Sequence, residues 1–313
     1  MTLKFWLGIL LGVTATCGLT LNLFVLYAVV TLGICQHKSS IYIISSANII
    51  CDTIQLSLIV AYLVPSILLD SWLFDGGRDD IWIDVFGTTF VFCWYFNTIT
   101  QVLMAVNRLI AVCFSSIDFF TYRNALIIMS ALFPATILLT WVAQYLSPCC
   151  KITHDHTVLS FSYYTHDGIP NYINMYIDAP MDLLSSVACI SCYIYIVVYM
   201  SKMRREFQTN SNGGGSVLIE YKYALQFFAI SIFFLTAWVC FRVFPLVIGR
   251  ERGECYIVVS LCISVNCSAN SVVYTTSNSE VRRTLRIIGR GTTNKTASNA
   301  FSNNVVPVNP QRK

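Results

Sequence analysis

The run VFGTTFVFCWYFNTITQVLMAVN, residues 85–107, holds no Lys, Arg, Asp or Glu and ends against Arg108. A helix needs roughly 20 apolar residues to cross about 30 Å of hydrocarbon, and this run is long enough. The pattern recurs on both sides of it. Residues 5–36, 125–150 and 255–279 are equally free of formal charge. Three further blocks carry only one or two ionisable residues: 39–69 with Asp52, 174–201 with Asp178 and Asp182, and 223–248 with Arg242. Of the 313 residues, 56% are hydrophobic and 12% charged, against about a quarter charged in a soluble domain. The apolar residues come in unbroken blocks rather than the 3.6-residue rhythm of helices around a water-facing core, so the blocks are spans.

The fold class is therefore an all-α membrane protein: a seven-transmembrane helix bundle forming one domain over residues 1–279. The expected spans are about 5–32, 40–69, 82–113, 125–147, 174–201, 221–248 and 255–277. The first is about twice the 7–15 apolar residues of a secretory signal, so it reads as a retained helix. Lys and Arg give the orientation, because they resist translocation. With the amino terminus outside, the outer segments hold only Lys4, Arg78, Lys151, Arg250 and Arg252. Arg242 lies within the sixth span, and the remaining fourteen of the 20 Lys and Arg fall inside. The net charge of +4 thus says less than its sidedness. After the seventh span, Val281, Leu285 and Ile288 share one helical face and Arg282, Arg283, Arg286 and Arg290 the other. This predicts a short interfacial amphipathic helix over 280–290 on the anionic inner leaflet. The tail, 291–313, is rich in Ser, Thr and Asn and is expected to be disordered. A flexible Asn/Ser/Gly linker at 209–216 falls in the third inner loop.

Ionisable residues at membrane depth are costly, which makes them functional candidates. Asp52 is the clearest, with Asn22 in span one and Asn270 in span seven as expected partners in an intrabundle polar network. Arg108 closes the third uncharged block at the inner face. Toward the outside, Asp84, Asp178, Asp182, Trp238 and Arg242 are candidates to contact a ligand; Asp178 and Asp182, four apart, share a helical face. Most of the 13 cysteines lie singly inside spans and read as small apolar residues. Cys149, Cys150 and Cys255 lie on the oxidising side, where a bridge among them, or to Cys93, is a candidate without a determined pairing. His154 and His156 in the same loop are a weak metal signal and read as solvated residues. The sequence contains no phosphate loop, zinc-protease motif or nucleophile with its base, so neither enzyme, cofactor nor metal is expected.

The order of these features resembles the rhodopsin-like receptors that couple to heterotrimeric G proteins. Asn22 with Val25 looks like their span-one asparagine pattern, Asp52 like their span-two aspartate, and Asn107-Arg108 like the acidic-Arg pair closing span three. Asn270-Ser271-Val272-Val273-Tyr274 looks like the span-seven Asn-Pro-x-x-Tyr motif with the proline replaced. More closely, the chain is similar to the nematode serpentine chemoreceptors of class x. That resemblance rests on Ser45-Ser46-Ala47-Asn48 with Pro65 and Asp70, on the run Ala105 to Val112, on Tyr145 to Cys149, and on Asn278 to Arg282. It implies a chemosensory receptor in the plasma membrane of sensory cilia, with a small-molecule ligand, a heterotrimeric G protein and the lipid bilayer as partners and no nucleic acid. Asn107, Arg108, Asn270 and Tyr274 are then the switch and coupling residues.

The departures are specific. Asn107 cannot hold Arg108 by charge. Ile83 stands where the broad family has its bridging cysteine, with Cys93 ten residues deeper, and span seven has no Lys for a retinal Schiff base. The competing readings are a small-solute transporter or channel, which the absence of paired repeats disfavours, and a receptor-derived chain that has lost signalling.

Overall fold

The computed structural model describes residues 3–37, 39–114, 119–147, 149–164, 169–208, 228, 231–244, 247 and 253–291. The 209–216 linker, parts of the sixth expected span (221–227, 229–230, 245–246 and 248) and the 292–313 tail lie outside these residues. Six described helices are long and apolar enough to cross a membrane: α1 (Leu3–Cys35), α2 (Ser40–Leu69), α3 (Ile81–Cys113), α4 (Tyr122–Leu146), α5 (Asn174–Met203) and α7 (Gly253–Ser277). Between the last two lies a shorter apolar helix, α6 (Ser231–Phe244), and α8 (Ser279–Gly291) closes the described chain. Such blocks form helices because hydrocarbon offers no partner to backbone N–H and C=O groups, which must pair within the segment.

The ends are set by side chains. Asp80 caps α3 by accepting from the Trp82 N–H at 2.9 Å, and Thr121 caps α4 by accepting from the Asn124 N–H at 3.2 Å. Asn278 separates α7 from α8; its Oδ1 accepts from the N–H groups of Glu280 and Val281, at 3.0 and 3.1 Å. In α8, Val281 is buried and Leu285 packs on the bundle, while Ile288 and Arg290 have no described side chains. Among the described residues four helices contain a π-turn: α1 at Thr31–Cys35, α2 at Ile59–Leu63, α4 at Val142–Leu146 and α5 at Asn174–Asp178. Each inserts one residue and widens the helix locally.

α3 runs through the middle of the bundle against α2, α4 and α5, and α7 packs against α1 and α2. One apolar cluster (Leu56, Leu63, Phe90, Phe161, Ile263 among its members) fills one half of the bundle and another (Val25, Ile44, Met104, Tyr274) the other half. Large apolar side chains such as Phe24, Leu138 and Leu184 point outward, as a lipid-facing surface requires. Between α4 and α5 the chain forms an antiparallel hairpin, β1 (Ile152–Asp155) with β2 (Ser160–Tyr163), pairing Ile152 with Tyr163 and Asp155 with Ser160.

Candidate functional site

The hairpin is the first departure from the sequence reading, because it is packed into the mouth of the bundle rather than solvated. His154 is 0% exposed, and Leu159, Ser160 and Phe161 are buried with it. Two glycines permit this depth. A Cβ on Gly87 of α3 would overlap the carbonyl oxygen of Ile152, and one on Gly253 would lie 2.7 Å from that of Thr157. Gln144 of α4 both donates to and accepts from the Ile152 backbone, at 3.4 and 3.2 Å, and Ser260 of α7 donates to the Leu159 carbonyl at 3.0 Å. Lys151 pairs with Asp84 at 3.0 Å, and Arg78 pairs with Asp155 at 3.4 Å. His154 sits among the rings of Tyr62, Phe90 and Phe161, and neither of its ring nitrogens has a hydrogen-bond partner among the described residues. Burial pushes its pKa down to about 3.

Behind the hairpin is a cavity of about 30 Å³. Phe90, Trp94, Phe161, Tyr163, Phe241 and Ile263 supply its apolar walls, and Asp178, Asp182 and Arg242 its charges. The shared helical face of Asp178 and Asp182 turns inward: at 4% and 2% exposure neither carboxylate reaches interfacial water. Asp178 accepts from the hydroxyls of Tyr95 and Tyr163, both at 2.5 Å. Asp182 accepts from the Trp94 indole N–H at 3.1 Å and pairs with Arg242 Nη2 at 3.5 Å. The Nε and Nη1 of Arg242 have no hydrogen-bond partner among the described residues.

Two of the five candidate ligand contacts lie elsewhere. Asp84 is engaged by Lys151 in a polar groove beside Cys149 and Cys150. Trp238, one turn from Arg242, donates to Ser186 at 2.8 Å and is not among the cavity residues. The tyrosines and Trp94 that complete the cluster were not singled out in sequence. Their signal was spacing, since Phe90 and Trp94 lie one turn apart on α3.

The cysteines pair locally. Cys149 is bonded to Cys150, its neighbour in sequence, while Cys93 lies buried beside Cys51 and Cys255 is free. A tie from the hairpin to α3 through Cys93 is therefore ruled out by position. The hairpin is held by ion pairs and backbone hydrogen bonds instead.

The middle of the bundle holds a second polar assembly with no Lys or Arg in it. Asp52, 2% exposed, accepts from Asn97 at 2.8 Å and from Asn270 at 3.2 Å. Asn270 also donates to Asn48 at 2.5 Å, and Asn48 donates to Asn97 at 2.8 Å, closing a ring through α2, α3 and α7. Asn22 does not join it: its amide donates to the Cys267 backbone carbonyl of α7 at 3.0 Å rather than to Asp52. Gln55 extends the ring toward the cavity, accepting from Asn97 at 3.5 Å and donating to the carbonyl of the cavity residue Phe90 at 3.4 Å. In the other direction, Tyr274 hydrogen-bonds Ser45, and the charge of Arg108 acts on the hydroxyls of Tyr193 and Tyr274. Asn107 is buried beside it.

Six membrane-length helices and a shorter apolar one, with a plugged mouth, a central aspartate network and an arginine closing α3, have the architecture of a rhodopsin-like bundle. The solved structure of squid rhodopsin has the same fold: it covers 93% of this chain and 85% of its own at a TM-score of 0.72, with 15% sequence identity. The family model for the serpentine type 7TM GPCR chemoreceptor Srx matches residues 13–278, and the chain belongs to that family. Among curated proteins no match was found.

Proposed function

We propose that this multi-pass membrane protein is a chemosensory receptor of the plasma membrane. Its amino terminus and hairpin face outward, it takes a small molecule into the cavity behind the hairpin, and it signals through a heterotrimeric G protein at the Arg108 end. The orientation rests on the distribution of Lys and Arg. The observation that carries the reading is the continuity of polar contacts between the two ends. Phe90 lines the cavity, Gln55 bonds its carbonyl, Asn97 links Gln55 to Asp52, and Asn270 links Asp52 to the helix that carries Tyr274. A ligand moves a two-state bundle only by its differential affinity for the two states. A small cavity roofed by a separable hairpin supplies that difference, since filling it repositions α3, α5 and α6 together.

A guanidinium at the end of α3 can donate to backbone carbonyls of an inserted partner helix, as an ammonium cannot in the same geometry. Arg108→Ala is expected to abolish G-protein activation in a calcium or cyclic-nucleotide reporter cell while leaving surface expression intact. Arg108→Lys is the discriminating variant: loss of signalling supports a specific contact, and full signalling means that Arg108 only anchors the helix. Because Asn107 offers no carboxylate to Arg108, basal activity is expected, and Asn107→Asp should lower it.

A further inference from the structure

The cavity behind the hairpin carries a charge imbalance that its own residues do not resolve. Two carboxylates and one guanidinium line it, and the guanidinium pairs with Asp182. Asp178 is left with two phenol hydroxyls and no cation within ion-pair distance among the described residues. Phenols satisfy the hydrogen-bonding capacity of a carboxylate but not its charge, and a carboxylate buried in this way either takes up a proton or gains a counter-charge. Around it stand the rings of Phe90, Trp94, Tyr95, Phe161 and Phe241, an arrangement whose negative ring faces favour a cation once water is excluded.

Resting on the receptor reading above, we infer that the cavity takes a small organic cation, an amine on an aromatic or alkyl body, whose ammonium binds Asp178 within this ring of aromatic side chains. The idle Nε and Nη1 of Arg242 argue for an acceptor group on the ligand, and a carboxylate would supply one. An anionic ligand, however, would set three negative charges against one positive charge, whereas an ammonium balances the cavity. Full charges at these separations outweigh single hydrogen bonds, so charge decides the class. The donors of Arg242 then suit a hydroxyl or carbonyl oxygen elsewhere on the same molecule.

The hairpin takes part directly. Tyr163, on β2, occupies one oxygen of Asp178, so it holds the position an arriving ammonium would use. A cavity of about 30 Å³ accommodates about two water molecules and no amine of useful size. Entry therefore displaces Tyr163 and lifts the hairpin strand that carries it, which ties occupancy to the roof of the bundle.

The test is binding of phenethylamine and 3-phenylpropionate, which share a body and carry opposite charge, to the full-length receptor in lipid nanodiscs, read by thermal shift and calorimetry. Phenethylamine is expected to stabilise the receptor and 3-phenylpropionate is not. Asp178→Asn, which keeps an acceptor for the tyrosines, should weaken the amine about 30-fold or more. Asp75→Asn, at an exposed carboxylate on the same end, should leave the affinity unchanged. If Asp178→Asn does not fold, Tyr163→Phe decides: freeing an oxygen of Asp178 should tighten the amine roughly threefold to tenfold, and an unchanged affinity would overturn the contact. Equal or stronger stabilisation by the carboxylate, no stabilisation by either probe, or an amine effect that survives Asp178→Asn each overturn the inference. None of these readouts uses a G protein. A cue of another class that activates the reporter cell would end this inference and leave the receptor reading standing, whereas amine binding with no route to G-protein activation would do the reverse.

Discussion

The cavity cluster and the central network are both buried, both built on aspartate, and stabilised in opposite ways. At the cavity, Asp178 and Asp182 draw on phenols, an indole and a guanidinium from three elements, one of which is a hairpin that no disulfide ties to the bundle. At the centre, Asp52 draws on side-chain amides from α3 and α7, which are joined to each other through Asn48 of α2. The first arrangement has a removable member and unused donors. The second is a ring in which only the Asn270 Oδ1 lacks a partner among the described residues, so opening it would leave further amides unmatched. A receptor needs both properties, and here they occupy separate layers.

The contrast breaks first at Asp52. Asp52→Ala removes the acceptor of two buried amides, and at 1–3 kcal/mol for each group left unmatched the loss should be about 3 kcal/mol or more. Thermal unfolding of the solubilised receptor and surface expression both report it, and a variant of normal stability would mean that the ring is not a closed unit. At the hairpin the effects should be local. Gly87→Val forces the hairpin off α3 at a cost of about 3 kcal/mol. Hydrogen exchange should show Leu159 and Phe161 deprotected and the amides of α7 near Asn270 unchanged; deprotection of both would show that the two layers do not behave separately.

Acid provides the next probe. His154 is held neutral, with its pKa lowered to about 3 by burial, so its contribution is complete above the unfolded value of about 6.5 and is lost as pH falls from there toward 3. The hairpin seat should weaken by about 2 kcal/mol at pH 5. Exchange at the hairpin should rise across that window in the native chain and rise much less in His154→Phe, where only His156, whose pKa burial also lowers, still titrates in the turn. The smallest effect is expected at the cysteines. A bridge between adjacent residues closes so short a loop that its entropic contribution is about 1 kcal/mol, below the 2–4 typical of longer loops. Cys149→Ser should therefore reach the surface at near-normal levels, and a severe trafficking defect would assign the bridge a role beyond chain entropy.

The central layer was the more legible of the two in sequence. A carboxylate inside an uncharged block must find partners at its own depth, so Asp52 pointed to an asparagine on span seven, and Asn270 is within 3.2 Å of it. Asn22 bonds the Cys267 carbonyl instead of Asp52, because sequence gives the order of residues along a helix but not which atoms of facing helices meet. The fold was readable for a simpler reason: hydrocarbon permits few backbone solutions, and long uncharged blocks imply one of them. The hairpin was opaque. Its polar residues His154, Asp155 and Ser160 look like those of a loop in water, and their burial depends on Gly87 and Gly253, which lie far away in the chain and whose only signal is a missing side chain. Asp84 and Asp178 were indistinguishable for a related reason, since Lys151 takes one outward and Tyr163 takes the other inward, and both partners come from the segment that sequence left unfolded.

The π-turn at Ile59–Leu63 lies between the two layers on α2, past Asp52 and just before the half of the helix that carries Pro65. An extra residue in one turn offsets everything beyond it by about 100° relative to an uninterrupted helix. Tyr62, inside that turn, is 2% exposed and stacks on Phe74 while meeting His154 edge to face. The azimuth of the outer half of α2 is thus decoupled from that of the inner half. Gain or loss of a single codon there would re-aim the wall of the mouth while Asp52 and its amides kept their places.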